Sequence, residues 1–268
     1  VRPLRSVISL FDEIVLPVGV EDPHITVGNT TYGHRFLSGE SFSVKGFEDY
    51  KEKLRAHYVI LDRQERAEKI LGNMQVLCAS KNLQLKEDPD LLEEVLGLVE
   101  WPVVLMGQID AQFMSLPPEV LETTMRTHQK YFSVLTKDGT TAPYFLIISN
   151  IESIDRGAQI IEGNERVLRA RLSDAAFFWT QDQKIPLKDR LPLLDSLIFH
   201  ERIGSVGDKS ERMKRLAPFC LERREDVSSE FLEQAALLAK TDLITGVVGE
   251  FPELQGIMGS YYAAQEGY

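Results

Sequence analysis

Residues 160–179 read IIEGNERVLRARLSDAAFFW, and this run separates a front part of mixed strand and helix signals from a helical back part. At about 100° per residue, Leu168, Leu172, Ala175, Ala176 and Trp179 fall on one face, and Val167 and Phe178 widen it. The stretch is expected to form one helix, mostly buried. It also carries Arg166, Arg169, Arg171 and Asp174. Burying an arginine is costly unless a partner satisfies it. Arg171 and Asp174 are three apart and are expected to pair along the helix as a structural pair. Arg166 and Arg169 point roughly 80° or more away from the apolar centre, so they can reach an anionic ligand or a partner.

Before this run, strands and helices alternate. Residues 6–20 read as two short strands split by Asp12-Glu13, and Tyr58 to Leu61 reads as another strand. Helices are expected over Phe47–Ala56, over Arg63–Ser80 behind an Asp62 cap, and from Asp88-Pro89 to about Val99. Pro117-Pro118 opens one more, through Arg126. Strands follow over Val103–Ile109, Tyr131–Thr136 and Tyr144–Ser149, the last two joined by an Asp138-Gly139 turn. After Asn150 the strand signal fades. Helices are expected over Lys188–Phe199, Asp208–Arg224, Phe231–Val248 and from Gly256 onward. The fold class is therefore α+β: a mixed α/β domain over residues 1–152 and an all-helical domain over 158–268 that is cut off at its C-terminal end.

Composition narrows the function classes. No run approaches the 18 apolar residues of a membrane span, and the N-terminal VRPLRSVISLF lacks the apolar core of a signal peptide. The chain starts without Met, directly in a strand-like pattern, as expected of an internal fragment. A net charge of −11 speaks against a whole-surface nucleic-acid binder but leaves room for a local basic patch. Cys78 and Cys220 lack ligand spacing and read as buried thiols in a reducing compartment.

Four clusters bear chemistry. Gly33-His34-Arg35-Phe36 can hold a phosphate or carboxylate after a glycine turn, or be a surface loop with Phe36 tucked in. In Thr127-His128-Gln129-Lys130-Tyr131-Phe132, His128 and Lys130 can read an RNA end with the aromatics as stacking platforms. Equally, the aromatics can face the core. Arg166 and Arg169 are the third candidate. The fourth is His200-Glu201 with Thr241-Asp242. Phosphohydrolases of the HD type bind a metal through a His, a His-Asp dyad and a later Asp. Here Thr241 stands where a ligand would be, and two ligands do not hold a divalent metal. His200 and Asp242 read as a degenerate remnant, and no metal or catalytic residue is expected.

VRPLR (1–5), GNTTYGHRFL (28–37), THQKYFSV (127–134), IEGNERVLRARLSDAAFFW (161–179), FHERIGSVGDKSERM (199–213), KTDL (240–243) and GEFPELQGIMGSYYA (249–263) occur in this order. Together they resemble the β subunit of the bacterial type of glycyl-tRNA synthetase. That family's enzyme is an α2β2 heterotetramer joining glycine to tRNA(Gly) with ATP. The resemblance implies a cytoplasmic aminoacyl-tRNA synthetase of protein biosynthesis, with ATP and Mg used on the α subunit and no cofactor in this chain. It further implies that the first half is similar to a B3/B4 domain and the second to an HD domain, and that the β subunit engages tRNA and the α subunit. His34, Arg35, His128, Lys130, Arg166 and Arg169 are then the expected tRNA or partner contacts. An active HD-type phosphohydrolase and a purely structural scaffold are the alternatives.

Overall fold

A computed structural model of the chain describes residues 6–20, 25–221 and 228–268, with side chains at 220 and 221 excepted. VRPLR at 1–5, the side chain of Cys220 and the end of the helix expected at 208–224 lie outside the described residues.

The elements in chain order are β1 (Ser6–Ile8), β2 (Leu10–Phe11), β3 (Ile14–Val15), β4 (Thr26–Gly28), β5 (Thr30–Tyr32), β6 (Ser41–Ser43), α1 (Phe47–Ala56), α2 (Arg63–Ser80), β7 (Gln84–Leu85), α3 (Pro89–Leu96) and β8 (Val103–Gln108). Then come α4 (Pro118–Thr123), β9 (Phe132–Leu135), β10 (Thr141–Ser149), α5 (Ala158–Asp182), α6 (Leu187–Arg190), β11 (Ile198–His200), β12 (Gly204–Ser205), α7 (Val206–Leu216), α8 (Ser229–Leu238), α9 (Gly246–Glu250) and α10 (Ile257–Gln265). By contact the chain sorts into two compact units. One holds residues 1–108 and 130–165, the other 109–129 and 166–268. A single cut at 152–158 therefore marks where strands give way to helices in sequence, while residues 109–129 group with the later part.

The first unit is built on a four-stranded antiparallel sheet in the order β7-β9-β10-β8. β10 is central because its run AlaProTyrPheLeuIleIle buries side chains on both faces. Its Phe145 is fully buried and lies over Gly107 of β8, where an added Cβ would sit 2.5 Å from the ring. Ala67, Ile70, Met74 and Cys78 of α2 pack with Leu91, Val95 and Leu96 of α3 onto Phe132, Val134 and Leu146. Both helices start where their caps dictate: the Asp62 carboxylate accepts the Glu65 amide at 3.1 Å, and that of Asp88 the Leu91 amide at 2.9 Å. Burial pushes the Cys78 thiol up. The strand expected at Tyr58–Leu61 is instead an irregular link. Tyr58 adopts φ +62°, and the Val59 and Ile60 amides donate to Leu54 and Glu100 carbonyls, so no strand ladder is available to them.

The second unit is mainly helical, although the two-stranded β11–β12 hairpin corrects the all-helical expectation. The helix expected over Lys188–Phe199 ends after α6. Pro192 removes an amide donor, and Leu191–Ser196 tightens to 3-10 geometry. The helix expected over Phe231–Val248 breaks at Thr241–Ile244, where the Thr241 and Thr245 hydroxyls donate to the carbonyls of Leu238 and Asp242. From α5 only the narrow stripe Leu168, Leu172, Ala175 and Asp182 is buried, and Val167 is exposed. The expected wide apolar face is thus reduced to a seam. At its end the Asp182 carboxylate accepts the amides of Gly246 and Val247 at 2.8 and 2.9 Å and the Tyr262 hydroxyl at 3.0 Å. Arg190 sits 3.6 Å from that carboxylate and donates to the Asp182 carbonyl at 2.7 Å. Trp179 stacks on Tyr262, with ring centres 5.3 Å apart.

Three outcomes follow. Urea denaturation of Phe145→Ala should show a loss of about 3–5 kcal/mol, since a large fully buried ring leaves a cavity. Asp182→Ala, which strands Arg190 in the core, should cost about 3–5 kcal/mol, whereas Tyr262→Phe should cost only about 1 kcal/mol. Burial pushes the Tyr131 phenol up to about 12. Its folded form therefore stays protonated where the unfolded form ionises, and stability falls as pH rises from about 10 to about 12. Thermal melts of Tyr131→Phe should show a shallower decline over that window.

Candidate functional site

His34 is 1% exposed and is a building element of its turn. Its Nδ1 accepts the amides of Phe36 and Leu37, each at 3.3 Å, and its carbonyl accepts the Ser38 amide at 2.8 Å. The His34 amide in turn donates to the His57 carbonyl at 2.9 Å. His57 is held by a 2.6 Å hydrogen bond between its Nδ1 and the Ser38 hydroxyl and by stacking on Phe42 at 4.3 Å. Gly33 permits this approach: a Cβ there would lie 2.4 Å from the His57 Cβ. His34 is therefore corrected from a contact to a support. What the support presents is Arg35 and Phe36, both exposed, with Phe36 at 75% and the guanidinium 5.7 Å from the ring centre. Phe36 is not tucked in.

The second cluster is divided. The unit boundary falls between Gln129 and Lys130. His128 closes a π-helical turn over Thr124–His128 and is exposed, its ring tilted 6.5 Å from Phe251. Lys130 adopts φ +58° and its ammonium sits 2.9 Å from Glu94. Tyr131 and Phe132 are buried. The Tyr131 ring stacks on Phe145 at 4.7 Å, and its hydroxyl donates to Asn164 Oδ1 at 2.5 Å. Neither aromatic is a stacking platform, because both belong to the core of the sheet.

On α5, Arg166 and Arg169 are exposed as expected. Arg169 reaches Asp110 through Nε at 2.6 Å and a terminal nitrogen at 3.2 Å, and this guanidinium holds the Asp110 carboxyl below the usual carboxylate range. A largely exposed pair of this kind contributes about 0–1 kcal/mol. The Lys130–Glu94 pair is of the same half-exposed type. Arg171 pairs with Glu250 at 3.3 Å in place of the expected Asp174. An arginine preceding its acid along a helix is the weaker order of such pairs, and Glu250 offers a cross-segment partner.

His200 is exposed on β11, its Nδ1 accepting the Arg202 amide at 3.2 Å. Asp242 is buried, and its Oδ2 accepts the amides of Gly256 and Gly259 at the start of α10. The carboxylate thus serves a helix terminus. Among the described residues no group of three His, Cys, Asp or Glu side chains is arranged to hold a metal ion, and no helix is long and apolar enough to cross a membrane.

Sequence reasoning missed the Asp182–Arg190–Tyr262 cluster. The available signal was an acid at the C-terminal end of a long helix, where the macrodipole disfavours it. Such an acid is placed for another element's amides. It also missed the β11–β12 hairpin and the Lys209 ammonium 4.0 Å over the Phe199 ring.

Comparison with known proteins adds the lineage. The family model described as glycyl-tRNA synthetase beta subunit matches residues 1–268. The glycine–tRNA ligase beta subunit of Phenylobacterium zucineum is 50% identical over 273 residues, covering 100% of this chain and 40% of its own length. That of Rhodospirillum centenum is 48% identical over 288 residues, covering 98% and 40%. That of Rickettsia felis is 45% identical over 269 residues, covering 100% and 39%. The chain thus spans about two fifths of the length of these relatives. From end to end, it belongs to the glycyl-tRNA synthetase beta subunit family.

Proposed function

We propose that this chain contributes tRNA binding and α-subunit contact to a glycine–tRNA ligase that attaches glycine to tRNA(Gly) in the cytoplasm, within an α2β2 assembly. In this reading ATP and Mg serve the α subunit, and no step of glycine activation falls on this chain. Residues 1–152 are read as B3/B4-like and residues 158–268 as HD-like, both acting as binding modules.

The observation that carries the RNA part is the Arg35-Phe36 pair. Its turn is fixed from beneath by the buried His34 and by Gly33 against His57. The turn offers an exposed ring beside a guanidinium. A flat ring stacks an unpaired base, at about 1–3 kcal/mol per base, in a way that tolerates any sequence. A guanidinium beside it suits the adjoining phosphate. Because the turn is preformed, little ordering entropy opposes contact. Arg166 and Arg169, both exposed on α5, are candidates for further phosphate contacts from the second unit.

Filter binding of the assembled enzyme with its tRNA tests this. Phe36→Ala should weaken binding about tenfold, in line with the loss of one stacked base. Arg35→Ala should weaken it several-fold and lower the salt slope by about 1. Unchanged affinity in both variants, with melting temperatures intact, would remove the turn from the RNA interface.

A further inference from the structure

The face formed by the β11–β12 hairpin and one side of α7 belongs to none of the contacts above. Its geometry is fixed by a capping box: the Asp208 carboxylate accepts the Ser205 amide at 2.8 Å, and the Ser205 hydroxyl accepts the Asp208 amide at 3.0 Å. Val206, Ser210 and Ala217 turn inward. Lys209, Arg212 and Leu216 fall within an arc of about 60° on a neighbouring flank. The Lys209 ammonium lies over the Phe199 ring and so ties that flank to the hairpin.

Two features coincide on this rigid surface. Apolar side chains stand in water: Ile198 is 78% exposed, Ile203 52% and Leu216 62%. Lys209 and Arg212 share the flank of α7 with Leu216, and Arg202 is exposed in the turn of the hairpin. Between Ile198 and Leu216 there are five Lys or Arg (Arg202, Lys209, Arg212, Lys214, Arg215) against three acids, in a chain of net charge −11. One of the three acids, Asp208, is occupied by the cap.

The mixture selects the class of partner. A nucleic-acid backbone would satisfy the cations but leaves isoleucine and leucine uncovered, and one face of the Phe199 ring already carries an ammonium. An apolar centre with arginines around it matches a protein interface, and the positive rim calls for an acidic one. We infer that this face docks a protein subunit whose surface has an apolar centre and an acidic rim. The α subunit is the candidate, and in that respect the inference rests on the subunit contact proposed above.

The test uses the full-length β subunit carrying this sequence. Two variants, Ile198→Asp with Leu216→Asp, and separately Arg212→Glu, are compared with wild type. The readouts are α affinity by sedimentation at two salt concentrations, tRNA affinity by filter binding, and the melting temperature of β alone. Each variant should weaken α binding at least tenfold, wild-type affinity should fall as salt rises, and tRNA affinity and melting should stay within two-fold and about 2 °C. Unchanged α affinity in both variants overturns the inference. A fall in tRNA affinity would then mark an RNA face, and a fall in melting temperature would mark a face covered by another part of the same chain. Wild-type β that fails to bind α overturns the subunit reading itself, an outcome distinct from wild type and variants binding alike.

Discussion

A polar group removed from water needs a partner for its hydrogen-bonding atoms, and this requirement shapes both units. In the helical unit it converges on Asp182, whose carboxylate joins the end of α5 to the first amides of α9 and to the Tyr262 hydroxyl of α10, with Arg190 beside it. Taking away the carboxylate would leave two amides and the Arg190 charge buried without it, whereas losing the Tyr262 hydroxyl would leave Asp182 with its other partners. In the strand-bearing unit the same demand is met by smaller devices. His34 satisfies two amides of its own turn, and the Asn150 side-chain oxygen accepts the amides of Glu100 and Trp101.

Functional reading depends on this accounting, because groups used for folding are unavailable for ligands. His34 is used in that way. Lys130 and Arg169 hold exposed acids, and such pairs contribute little to stability. Arg35 and Phe36 are the opposite case: the fold is spent on holding them out, and neither contributes to the core. The hairpin beside α7 is a second investment of this kind, with a capping box and a cation over a ring maintaining apolar side chains in solvent.

How much of this was legible in sequence follows from the range of the interactions. Arg63–Ser80 and Phe47–Ala56 match their expected bounds residue for residue, since helical periodicity and, for the first of them, the Asp62 cap are local signals. The α+β class was equally legible from the mix of periods. Expectations failed where a local competitor intervened, as at Pro192 and at the hydroxyls of Thr241 and Thr245, and where partners are remote. Arg169 meets Asp110 across 59 residues and Arg171 meets Glu250 across 79, distances over which spacing carries no information. Thr127 to Phe132 was legible only in half, because the period-two pattern of β9 does not announce that Tyr131 stacks inward on Phe145.

On the proposed division of work, RNA meets the Arg35-Phe36 turn of one unit and a protein subunit meets the hairpin and α7 of the other. Crosslink mapping of this chain within the assembled enzyme, with tRNA bound, measures that division most directly. Crosslinks to tRNA concentrated around residues 35–36, with crosslinks to the α subunit concentrated between 198 and 216, are the expected pattern. RNA crosslinks across 198–216 together with none near Phe36 would contradict it.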